Sequence, residues 1–127
     1  MNFVFQTKFG KEGNCFAACV ASLLEIDIEK VPFLGVDEEW PEYEDTLNRY
    51  LKNEHNLFLI SDEFEKWKEF VEFHFQDFAY IVSGDSNLVG FEHAVIYKNG
   101  KQVHNPNNSG VELINIKHIY IFLKLHQ

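Results

Sequence analysis

Cys15 and His93 are the two side chains whose types and settings could carry covalent chemistry together. Cys15 follows Gly13-Asn14 and opens the run Cys-Phe-Ala-Ala-Cys-Val-Ala-Ser-Leu-Leu, which is apolar and rich in small residues. A helix that starts at Cys15 offers free N–H groups and the positive end of its dipole, and both favour a thiolate. The N–H of Cys15 itself could face a developing oxyanion. His93 begins His-Ala-Val-Ile-Tyr, a strand-like run. An imidazole at a strand edge is well fixed, and it is suited to remove a thiol proton near neutral pH. Cys19 lies within the apolar run and reads as an ordinary buried thiol.

A third group must hold the imidazole in one orientation and tautomer. Asn105, in Val-His-Asn-Pro, can do this through its side-chain carbonyl, although Asn is also common in turns. Tyr97-Lys-Asn-Gly-Lys101 is a strong hairpin signal. With a plain two-residue loop, Lys98 pairs with Lys101, and His93 and Asn105 face opposite sides. With a bulge at Gly100, Tyr97 pairs with Lys101, and His93 and Asn105 meet on one face. The catalytic hypothesis therefore expects the Gly100 bulge. Gln6, nine residues before Cys15, is the favoured second oxyanion donor, with Asn14 as its competitor.

These residues together resemble the papain-like cysteine peptidase superfamily. They stand in its order of oxyanion glutamine, nucleophile, histidine and orienting Asn or Asp: Gln6, Cys15, His93, Asn105. Small bacterial and phage proteins of this type carry a pattern that Gln6-Thr7, Gly10, Gly13-Asn14-Cys15, Ser83-Gly84, His93-Ala94-Val95 and Val103-His104-Asn105-Pro106 resemble. The chain is also similar to the bacteriocin-processing double-glycine peptidases. Asn105 stands where those relatives usually have Asp, and the gap from Gln6 to Cys15 is longer than in papain. Gly-Asn-Cys-Phe is similar to the ovarian-tumour-type deubiquitinases, whose basic substrate-binding parts are not evident here. The resemblance implies an α+β papain-like fold, with a central N-terminal helix packed on an antiparallel sheet. It implies catalytic roles for Cys15, His93, Asn105 and Gln6 and a substrate-side position for Asn14, Ser83 and Gly84. The expected reaction is cleavage of a peptide, isopeptide or side-chain amide through a Cys15 thioester. The alternatives are a cysteine acyltransferase or deamidase, and an inactive papain-like module that binds a partner protein, such as a phage-encoded inhibitor.

The elements that must position these groups are visible in the pattern. Residues 2–6 read as a short strand and 15–25 as a central helix, apolar nearly all round. Asp37 is expected to cap a second helix, with Pro41 in its first turn and Tyr43, Leu47, Tyr50 and Leu51 as its apolar stripe. Residues 56–60 suggest a strand. Asp62 is expected to cap a third helix burying Phe64, Trp67, Phe70 and Val71. Strands follow at 77–83, 90–98, 101–105 and 111–124. Helices first and antiparallel strands later read as α+β.

The 127 residues fit a single domain, 1–127. Thirteen Phe residues and a 46% hydrophobic content supply a packed core. The net charge of −9, without any Lys/Arg cluster, argues against nucleic acid and leaves a peptide or protein substrate, neutral or basic, as the expected partner. Glu12, Asp85 and Glu92 could line a cleft and favour a basic group. No apolar stretch approaches the ~20 residues that span a membrane, and no signal peptide is visible. Two reduced thiols suit the cytoplasm. No cofactor is expected. No zinc site is expected either, because Cys15 and Cys19 lack a second ligand pair. His55, His74, His104, His118 and His126 read as scattered surface or packing residues.

Overall fold

The computed structural model describes residues 1–10, 13–32, 39–74 and 76–125. Its elements are α1 (Cys15–Leu24), a 3-10 turn (Ile28–Lys30), α2 (Trp40–His55), β1 (Leu57–Glu63), α3 (Phe64–His74), β2 (Ala79–Ser86), β3 (Glu92–Lys98), β4 (Lys101–His104) and β5 (Leu113–Lys124). The architecture is α+β with an antiparallel sheet of order β1-β5-β2-β3-β4. β1 lies between α2 and α3 in the chain, so helices and strands are less segregated than expected.

The sheet is covered on both faces, and the period-2 alternation of strands sorts its residues. Ile81, Ala94, Ile96, Leu59 and Tyr120 pack with Val20 of α1 and with Leu47 and Leu51 of α2. Their alternates Tyr80, Val82, Val95, Ile119 and Ile121 pack with Phe64 and Val71 of α3. This is why Tyr80-Ile-Val-Ser83 is buried without a break. Helix α1 is mostly interior, as its small residues require. It stops at Glu25 in a left-handed conformation, φ 59°.

Several expectations change. Residues 2–6 form no strand. Their polar groups go instead to Ser22 and to the far end of β4: Asn2 N–H donates to Ser22 O (3.1 Å), Val4 N–H to Ser22 Oγ (3.0 Å) and Gln6 N–H to Pro106 O (3.0 Å). Asp37 lies outside the described residues, and Glu39 occupies the N-cap of α2 with Pro41 in the first turn. Asp62 belongs to β1. Its carboxylate accepts Glu63 N–H (2.8 Å) and Trp67 Nε1–H (2.9 Å) at the start of α3. Phe70 is exposed rather than core, with its ring against Trp67 and His74. Among the described residues, no helix is long and apolar enough to cross a membrane.

Candidate active site

The start of α1 is left open by its own N-cap residue. Asn14 makes no side-chain cap, and no acidic residue sits in the first turn. Its amide turns back instead: Oδ1 accepts Thr7 N–H and Lys8 N–H (2.9 Å each), and Nδ2 donates to Thr7 Oγ1 (2.9 Å). The helix-start N–H groups of Cys15 and Phe16 are therefore free to reach the Cys15 sulfur, where they are joined by the N–H of Ala94, the residue after His93. Burial pushes the Cys15 thiol above its ordinary value, these three N–H groups pull it back only in part, and Glu92 adds to the rise. Cys15 thus rests as a thiol.

His93 is buried, and its Nε2 lies 2.7 Å from Asn105 Oδ1. The surrounding bonds fix which atom donates. Asn105 Nδ2 donates to Val111 O (2.8 Å), and Asn105 Oδ1 accepts Asn107 N–H (3.0 Å). Oδ1 is therefore the acceptor towards His93, and Nε2 carries the proton. In the neutral ring that leaves the lone pair on Nδ1. Burial depresses the His93 pKa below its ordinary value, with Asn105 and Glu112 opposing it. The structure records no hydrogen bond between the Cys15 sulfur and the imidazole, and such contacts commonly tighten only with substrate.

The hairpin reaches this geometry by a route other than the expected one. Lys98 pairs with Lys101 across Asn99 (φ 54°) and Gly100 (φ 75°), so the loop is the plain two-residue turn. The register then shifts: Tyr97 pairs with Gln102 and Ile96 with His104, leaving Val103 as the extra residue. The bulge at Val103, not Gly100, restores the parity that puts Asn105 on the side of His93. His104 takes the other side, where it is buried with Nε2 2.7 Å from Val4 O and its ring between Phe3 and Phe5.

A cavity of about 840 Å³ gathers Gln6, Asn14, Cys15, Ser83 and His93. Gln6 is buried. One N–H of its Nε2 goes to Lys8 O (2.9 Å), and Oε1 has no partner among the described residues. Ser83 Oγ sits 2.9 Å from Tyr120 Oη, and burial pushes the Tyr120 hydroxyl up to about 12, keeping it neutral. Gly84 is not part of the cavity. A Cβ there would lie 1.9 Å from Asn115 O, so its role is the close approach of β5, at the β2–β5 register shift. Asp85 likewise stands outside, paired with Lys117 at 2.9 Å, and Glu12 and His126 fall outside the described residues.

Other walls of the cavity were not singled out from sequence. Phe16, Trp40, Tyr43 and Tyr120 form an aromatic side in which Phe16 meets Tyr120 at 4.8 Å and Trp40 at 5.5 Å. His118, expected as a packing residue, lines the cavity, as do Asp62, Glu63 and Glu92. Asn107 lines it too, with Oδ1 accepting Ser109 N–H (2.8 Å). The signal that could have found Asn107 is Asn105-Pro-Asn-Asn-Ser109, which allows two successive Asx turns. The aromatic side has no such signal, because its members come from α1, α2 and β5. Among the described residues, no group of three or more His, Cys, Asp or Glu could hold a metal ion. No family model, curated protein or solved structure matches the chain.

Proposed function

We propose that this chain is a papain-like cysteine hydrolase acting on amide bonds. The observation that carries the reading is the orientation network His93 Nε2–H···Oδ1 Asn105, fixed by Val111 O and Asn107 N–H, one peptide away from the Cys15 sulfur. It leaves an unprotonated Nδ1 on a residue that lines the same cavity as the Cys15 thiol, which stands at an uncapped helix start. In the proposed reaction His93 takes the thiol proton as sulfur attacks the acyl carbon. The S–C bond forms, the carbonyl becomes an oxyanion, and the Cys15 N–H and the second Gln6 N–H stabilise it. Collapse breaks the C–N bond, and the leaving nitrogen takes the proton from His93. Water, deprotonated by the same imidazole, then cleaves the thioester. Because both groups rest neutral, proton transfer accompanies attack rather than preceding it.

One observation favours the rival, a papain-like module that only binds: burial holds the thiol protonated. Acylation by 4-nitrophenyl acetate separates the two. A hydrolase gives a stoichiometric nitrophenolate burst, a thioester on Cys15 seen by mass spectrometry, slow turnover, and a loss of about hundredfold or more in His93→Ala. Acylation of Cys15 no faster than that of N-acetylcysteine, and unchanged in His93→Ala, would leave the binding module as the function.

A further inference from the structure

The cavity walls differ in chemistry from what a neutral peptide requires. The lining includes three carboxylates, Asp62, Glu63 and Glu92, and no Lys or Arg among the described residues. Asp62 and Glu63 are partly occupied: Asp62 by Trp67 and the Glu63 N–H, and both by Lys66 at 3.8 and 3.7 Å. Glu92 sits exposed at the start of β3, next to His93, and its carboxylate makes no hydrogen bond or ion pair among the described residues. Lys117, the cation whose charge it also feels, is already held by Asp85 at 2.9 Å.

The same cavity has a fixed aromatic wall. Trp40 packs on Tyr120 at 5.2 Å and on Phe16 at 5.5 Å, and its Nε1–H donates to Glu44 Oε2 at 3.2 Å. The same Glu44 oxygen accepts Ser61 Oγ–H at 2.6 Å, which pins the carboxylate. A carboxylate on the indole N–H pushes electron density into the ring and deepens the negative potential of its face. Gln6 adds an independent signal. It is 8% exposed, and Oε1 is a buried acceptor without a partner among the described residues. Gln6 lines the cavity, and a buried acceptor without a partner behind that wall opposes a carboxylate beside it.

We propose that the cavity selects substrates bearing a cationic side chain, a primary ammonium or a guanidinium, next to the acyl carbon that Cys15 attacks. The cation sits between Glu92 and the aromatic wall of Trp40, Phe16 and Tyr120. The proposal rests on the reading of Cys15 as nucleophile, and its test separates the two.

The probes are the Nα-acetyl chloromethyl ketones of lysine, norleucine and glutamate, with alkylation of Cys15 followed by mass spectrometry. The lysine probe should react about tenfold faster than its uncharged analogue norleucine, with glutamate slowest. Glu92→Gln and Trp40→Leu should each shrink the lysine-to-norleucine ratio by about threefold or more, and so should high salt for the Glu92 share. Lysine and norleucine reacting equally, and both faster than with N-acetylcysteine, would overturn the cation proposal and leave the hydrolase reading intact. If labelling is no faster than with N-acetylcysteine, the hydrolase reading fails. A calorimetric titration of Cys15→Ala with Nα-acetyl-lysine amide and Nα-acetyl-norleucine amide then decides the cation preference without chemistry. Tighter lysine binding supports it, and equal affinities overturn it.

Discussion

Asn105 satisfies three groups at once: it accepts from His93 and from Asn107 N–H, and it donates to Val111 O. The turn role and the orienting role of this residue, alternatives in the sequence, coexist in one side chain. Its neutral amide raises the His93 pKa only against the larger effect of burial. In the proposed reaction the working base is the neutral ring, so acylation should rise with pH through a His93 pKa below the ordinary histidine value. Asn105→Ala removes an interaction that raises that pKa, so the acid limb should move to still lower pH while the plateau falls. Asn105→Asp places a carboxylate beside the imidazolium, so the acid limb should move up, by about one unit or more. A pH profile of the nitrophenyl acetate burst reads both shifts. Movement of the limbs in the reverse directions would count against the assigned tautomer.

At the scale of elements, the β3–β4 hairpin decides whether Asn105 meets His93. One extra residue, Val103, sets the face on which Asn105 falls. Deleting Val103 should remove the bulge yet keep Ile96 opposite His104 and Asn105 on the side of His93, because side chains alternate with period 2. The expected outcome is acylation retained along with the far-UV circular dichroism spectrum, and a loss of about hundredfold would count against Val103 as the extra residue. Gly84 performs a different service on β2. Gly84→Ala drives a Cβ into Asn115 O at the β5 bulge, so the variant should lose roughly 3 kcal/mol in urea unfolding or fail to fold.

Across the whole molecule, the N-terminal segment ties the two halves of the site together. Gln6 N–H bonds Pro106 O directly after Asn105, and His104 on β4 reaches back to Val4 O across a sequence separation of 100. Phe3 and Phe5 clasp the His104 ring. His104→Ala should therefore cost about 1–3 kcal/mol and open the first residues to limited proteolysis. Acylation should weaken too, because Gln6 loses its anchor. The charge of −9 acts at the same scale: association of the proposed cationic substrate should be salt-sensitive.

The amino-acid sequence by itself determined the local elements. The apolar small-residue run made α1 an interior helix that starts at Cys15, and Asn99-Gly100, both able to take positive φ, made the turn. The apolar runs of β2 and β3 announced strands. Only tertiary structure decided the rest. It placed β5 between β1 and β2, turned residues 2–6 from a strand into a tether, and chose Val103 over Gly100 for the bulge. It assembled Phe16, Trp40 and Tyr120 into one wall and freed the start of α1 by spending Asn14 on Thr7 and Lys8. The physical reason is range. Propensity and period act among near neighbours and can be read in order along the chain. Register and shared cavities arise where distant segments compete to satisfy the same backbone groups and fill the same volume.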